Sequence, residues 1–272
     1  NIRQKTPVDK NRQDVIIYEK DLLLGEKELN NNVFEVIFDD TDEEFTRKIK
    51  ELLLDICYGK ENADLGTITF EETIKELNKR ISTKTQEQKA GMIGELLFHL
   101  KSYELFKKHA HISVYFNKEE RSVKKGFDVL LFDGKKVWYC EVKSREDANN
   151  EDITLSHIKK LKEAIKDAKE KFNSENENYW LTAKTNIVNI EEKSLKKQIA
   201  DILTKDINKN VKKDTMGVSV AFQRELNSIS KDSVEEYLKT EEDNFDSLVA
   251  ICITHEDYEK IIKMLKEISD GN

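Results

Sequence analysis

Residues 126–144 read GFDVLLFDGKKVWYCEVKS, and no other stretch restricts the fold so closely. Two runs rich in Val, Leu, Phe, Trp and Tyr flank Asp133-Gly134, and an Asp-Gly pair between apolar runs is a strong local signal for a β-hairpin. Side chains alternate faces along a strand. On the second strand Val137, Tyr139, Glu141 and Lys143 therefore share one face, and Trp138, Cys140, Val142 and Ser144 share the other. On the first strand Asp128 lies on the face of Leu130 and Phe132. Each strand thus sets ionisable groups among apolar ones. Charge is costly to bury unless it is paired or bound to a metal. An Asp on one strand and Glu-x-Lys on the next would hold a divalent cation and a catalytic amine together.

The rest of the chain supplies layers for such a hairpin. Residues 1–34 are polar and irregular, and 33–38 alternate as a strand. Thr41 followed by Glu44 signals a capped start for a helix over 41–58, with Phe45, Ile49, Leu52, Leu53 and Ile56 at helical spacing. A second helix is expected over 70–81 and a long amphipathic one over 85–106, containing Gly91 and Gly94. Glycine weakens a helix interior unless something approaches closely there. Strands are expected at 112–116, 217–222 and 248–254. Helices are expected at 154–172, started by Thr154, and at 191–211 and 256–268, while 179–183 (YWLTA) reads as a short strand or loop. This order predicts an α/β domain over 85–272 with a central mixed sheet flanked by helices, preceded by a mostly helical region over 1–84.

The 85–106 helix brings one more acid, Glu95, directly after Gly94. Glu95, Asp128 and Glu141 offer hard oxygen ligands of the kind that suit Mg²⁺ or Mn²⁺. A cation held there would stabilise charge developing during in-line phosphodiester cleavage, and Lys143 would position or activate the attacking water. Gly94 on the helix and Gly126 before the strand would let the two backbones close up so that Glu95 shares the cation. His99, one helical turn on, either supports a ligand or is a packed histidine.

In the order helix, strand, strand, Glu95, Asp128 and Glu141-Val142-Lys143 resemble the PD-(D/E)xK nuclease superfamily, which implies a restriction-endonuclease-like core. The proline that usually precedes the Asp is replaced by Phe127. A closer similarity is to the HamA family of the Hachiman anti-phage system, carried by Gly94-Glu95-Leu96-Leu97-Phe98-His99, Gly126-Phe127-Asp128 and the strand from Trp138 to Lys143. That resemblance is densest over residues 85–175. It implies a Mg²⁺- or Mn²⁺-dependent DNA nuclease working beside a superfamily 2 helicase, HamB. The catalytic residues would be Glu95, Asp128, Glu141 and Lys143, the first three of them metal ligands.

Charge bears on the partner. The net charge of −8 by itself argues against nucleic-acid binding, and the chain is strongly acidic from Glu225 onward. Lysines nevertheless concentrate just downstream of the hairpin, over 159–171 and 193–213. Lys159, Lys160, Lys196 and Lys197 are the expected DNA contacts, against the alternative of solvated helix faces. A partner that supplies or gates DNA access would reconcile the acidic total with this role. Tyr179-Trp180 either stacks a base or joins the core. Cys57, Cys140 and Cys252 are odd in number and lie in apolar runs, as in reduced cytosolic proteins. No run is apolar enough to span a membrane. The polar opening NIRQKTPVDK has no signal-peptide pattern and no initiator Met, so an N-terminus that is either trimmed or not included, and a cytoplasmic location, are expected. Two rival classes are a non-catalytic DNA- or helicase-binding subunit with a decayed nuclease fold, and an interaction protein using its acidic tail.

Overall fold

The computed structural model describes residues 32–38, 41–116, 126–146, 151–174 and 178–271. In chain order the elements are β1 (Val33–Ile37), α1 (Asp42–Tyr58), α2 (Lys60–Asp64), α3 (Phe70–Ser82), α4 (Gln86–Leu105), β2 (Ala110–His111), β3 (Val129–Phe132), β4 (Val137–Glu146), α5 (Ile153–Asn173), α6 (Asn178–Asn186), α7 (Lys193–Asp206), β5 (Asp214–Phe222), α8 (Lys231–Lys239), β6 (Ser247–His255) and α9 (Tyr258–Ser269). The expected irregular arm over 1–31 lies outside the described residues.

The strands form one six-stranded mixed sheet in the order β1-β6-β5-β4-β3-β2. β1, β6, β5 and β4 are parallel, β3 is antiparallel to β4, and β2 is antiparallel to β3. Period-two alternation divides the core between the two faces. Val129, Leu131, Trp138, Cys140, Val142 and Val218 pack under α1, α3, α4 and α9. Leu130, Phe132, Val137, Tyr139, Ala250 and Cys252 pack under α5, α6, α7 and α8. The molecule is therefore an α/β sandwich with helices on both sides of the sheet. β1 sits within the sheet, and α1 and α3 share the core of α4, so the described part of residues 1–84 packs as part of this sandwich.

Local chemistry sets the helix starts. Thr41 accepts from Glu44 N at 3.2 Å, and Thr69 and Thr85 form full capping boxes with Glu72 and Gln88. Helix α5 is capped by Asp152, whose Oδ1 accepts from Leu155 N at 2.9 Å, and not by Thr154. The expected strand at 112–116 does not form. Ile112 N still donates to Leu130 O at 2.9 Å, but Tyr115 N then turns to Ile56 O (2.8 Å) and Phe116 N to Cys57 O (3.3 Å). These residues cover the orphan carbonyls at the end of α1 instead of extending the sheet. Residues 179–183 are helical within α6, because Trp180 has a core to enter from a helix. Among the described residues no helix is long and apolar enough to cross a membrane.

Candidate active site

The hairpin places its charges as the alternation requires. Its turn is wider than a two-residue Asp-Gly loop: Asp133 N donates to Lys136 O at 3.2 Å, and Gly134 takes a φ of 96°, which a side chain would strain. The Asp133 carboxylate accepts from Lys135 N, Lys136 N and Trp138 Nε1 at 2.8, 2.7 and 3.0 Å, which fixes the register. Extending the pairing of Val129 with Cys140 by one residue sets Asp128 opposite Glu141, on the face covered by α5. Asp128 Oδ2 accepts from Val142 N at 2.9 Å and so replaces the β3 backbone as acceptor where that strand stops. β4 runs on to Glu146 beside β5. A cavity of about 840 Å³ lies along this exposed length, with Glu95, Asp128, Lys143, Ser144 and Lys160 in its walls.

Helix α5 completes the charge arrangement. Lys171 Nζ stands 2.5 Å from Glu141 Oε2 and 3.9 Å from Asp128 Oδ1, while Glu141 is fully buried. One turn earlier on the same helix, Asp167 forms an ion pair with Lys143. Burial opposes the Lys171 ammonium, but Glu141 and Asp128 outweigh it and hold Lys171 above the ordinary lysine value. Burial and Asp128 push the Glu141 carboxyl upward, and Lys171 pulls it back. The two tendencies differ in sense, and the 2.5 Å contact is that of an ion pair. Lys143 is likewise held above its ordinary value: burial works against its charge, and Asp167, Asp128 and Glu141 restore it. Lys143 is therefore held as a charged ammonium among carboxylates.

Glu95 approaches from the other side of the sheet. Its helix, α4, packs against the α4-facing residues of β4, so close that a Cβ on Gly94 would lie 2.6 Å from Ser144 Cβ. Ser144 Oγ donates to Ala90 O at 2.9 Å across this contact. The expectation that Gly94 permits close packing is met, and so is the expectation that Ser144 faces away from Glu141. Gly126 plays the same part before β3, where a Cβ would meet Thr182 Cγ2 at 2.9 Å. Gly91 instead faces open space in the cavity wall. Glu95 shares a wall with Asp128 beside Gly126 and Tyr115, but Glu141 lies under Lys171 and outside the cavity lining. His99 is a packed histidine, edge-on to Tyr115 with ring centres 5.7 Å apart. Burial holds its pKa down to about 4, against the pull of Asp128.

A family model for HamA matches residues 13–268, nearly the whole chain. The chain belongs to the HamA family. That makes it a component of a Hachiman-type defence system. No individually curated protein matches it. Across this HamA-family chain the expected lysines separate. Lys160 reaches the cavity wall and pairs with Glu163 at 2.8 Å. Lys159 pairs with Glu151, away from the cavity lining. Lys196 ties α7 to α2 through Glu61 at 2.7 Å, and Lys197 is an exposed residue of the same helix; neither lines the cavity. Lys213 is a core cation: it donates to Asn208 O and Val211 O at 2.9 and 2.5 Å and lies over the rings of Phe172 and Trp180. Of stacking a base and joining the core, Trp180 does the second, with Phe127, Tyr139 and Phe172 around it.

Sequence reasoning missed Lys171 and Asp167 as members of the site. The available signal was their i,i+4 spacing along the edge of the stripe formed by Leu161, Ala164, Ile165, Ala168 and Phe172. Among the described residues no three His, Cys, Asp or Glu side chains are grouped closely enough to hold a metal ion. The donor chemistry nonetheless suits a hard divalent cation. Asp128 and Glu141 face each other with a cation already between them, and the buried Glu141 Oε1 has no hydrogen-bond partner.

Proposed function

We propose that this chain is a metal-dependent deoxyribonuclease with a restriction-endonuclease-like, PD-(D/E)xK core. It hydrolyses phosphodiester bonds for a Hachiman system alongside a superfamily 2 helicase of the HamB type. The observation that carries the reading is the facing pair Asp128 and Glu141, with Lys143 two residues along the same strand face at the mouth of a cavity. Asp128 and Glu141 would hold Mg²⁺ or Mn²⁺, with Glu95 contributing from the cavity wall. When bound, the cation would supply Lewis-acid stabilisation of charge building on the transferring phosphoryl group. Lys143, kept charged and aimed by Asp167, would donate to a phosphate oxygen and orient the attacking water. Lys160, on the cavity wall, would hold a neighbouring phosphate.

The competing reading is a non-catalytic DNA- or helicase-binding subunit on a nuclease fold. It is favoured by the burial of Glu141 beneath Lys171. Incubation of the purified chain, with and without its helicase, with linear and circular DNA in Mg²⁺ or in a chelator separates the two. Cleavage that needs Mg²⁺ and is lost in Asp128→Ala is expected. DNA binding with no Mg²⁺-dependent cleavage in either form would favour the non-catalytic subunit.

A further inference from the structure

Lys171 lies against the two carboxylates that the proposed function assigns to a metal. A Mg²⁺ ion lies about 2.0–2.1 Å from its carboxylate oxygens. The Lys171 ammonium, 2.5 Å from Glu141 Oε2 and 3.9 Å from Asp128 Oδ1, already engages the Glu141 oxygen that such an ion would use. Building on the proposed metal-dependent reading, we propose that Lys171 is a resident counter-cation, which a divalent metal must displace from Asp128 and Glu141 before the site can act.

Three observations favour displacement over a permanent structural ion pair. First, the pair is incomplete: Lys171 satisfies Oε2 and leaves the buried Oε1 of Glu141 without a partner. A buried carboxylate oxygen left in that state is destabilising, and native cores rarely retain one. Second, Lys171 holds the pair together while no metal is bound. Two carboxylates facing each other, one fully buried, would otherwise repel in a medium of low dielectric. Third, Lys171 can leave. It lies in the last turn of α5, on a flexible four-carbon stem, at the end of the helix dipole that favours positive charge. Phe127 and Tyr179 lie 5.8 and 6.0 Å from its ammonium and offer ring faces beside the pair. Lys143 is not the competitor, because Asp167 holds it.

Calorimetric titration of the full chain with MnCl₂ tests this without reference to cleavage. Lys171→Met, which keeps the stem and removes the charge, is expected to bind Mn²⁺ at least tenfold more tightly than wild type. Lys171→Arg is expected to bind no more tightly than wild type. Asp128→Asn should abolish uptake in either background, which locates the ion. A second measurement needs no variant: amine acetylation of wild-type Lys171, followed by mass spectrometry, should become several-fold faster when Mn²⁺ is saturating. Wild type that takes up Mn²⁺ while Lys171→Met binds no tighter, or while Lys171 acetylation is unchanged, overturns the displacement proposal alone. Absence of Mn²⁺ uptake by both proteins overturns the metal reading of the site and the proposal with it.

Discussion

At the scale of single residues, the site is a balance of charges in a buried setting. Asp128, Glu141 and Lys143 were legible in the sequence because period-two alternation placed each of them among apolar neighbours, where a charge has to have a reason. Lys171 and Asp167 were not legible. They occupy the edge of an amphipathic helix among many other lysines and acids, and only the packing of α5 on β4 separates them from solvated neighbours. In the proposed mechanism, where Lys143 would position or activate the attacking water, its pairing with Asp167 favours donation by a fixed ammonium. Replacement of Lys143 by Gln is therefore expected to lower kcat about 10²-fold or more with little change in KM for DNA. Lys160→Gln is expected to do the reverse, raising KM and flattening its salt dependence while kcat holds. Steady-state kinetics over a salt series distinguishes the two, and equal effects on KM from both would contradict the separate roles.

At the scale of elements, the site exists because β3 is short. It stops opposite Cys140, Asp128 takes over its last acceptor position, and the remainder of β4 is left to line a cavity beneath α4. Strand and helix positions followed closely from apolar spacing and from Thr caps, and these are local signals. The elements that departed were decided by distant partners. Residues 112–116 went to the end of α1, and 179–183 followed Trp180 into the core as a helix. Helix α4 depends on Gly94. Alanine has a better helix propensity than glycine by about 1 kcal/mol, yet Gly94→Ala is expected to destabilise the protein by about 1–3 kcal/mol, because its Cβ would lie 2.6 Å from Ser144 Cβ. Urea denaturation checks this. Adding Ser144→Gly should recover part of the loss, and a Gly94→Ala variant more stable than wild type would show that α4 and β4 are not in tight contact.

At the scale of the whole molecule, layer order and the mixed sheet could be read from the sequence. The side of the sheet from which each helix approaches could not, and that decides which residues meet. Glu95 and Glu141 come from opposite faces, and the acid that shares cavity walls with Glu95 is Asp128, not Glu141. The net charge of −8 is spread over a surface on which many lysines are already paired with acids. Burial also governs the response to pH. It holds His157 and His111 down to about 3 and His99 and His255 to about 4. Their folded values lie below the unfolded value of about 6.5, so the unfolded chain binds more protons between those limits. This contribution to stability is complete above about pH 6.5 and is lost as pH falls toward 4, with His157 alone contributing at most about 2 kcal/mol of the loss by pH 5. Histidine ring signals in NMR spectra should stay neutral for His157 down to below pH 4, and titration near 6.5 would contradict its burial against Ser219 and Thr254. The central claim is tested most directly by the rate of Mg²⁺-dependent DNA cleavage by wild type and by the double variant Asp128→Ala, Lys143→Ala. Cleavage by wild type that vanishes in the folded double variant is expected, and cleavage that survives both substitutions would show that the hairpin is not the catalytic site.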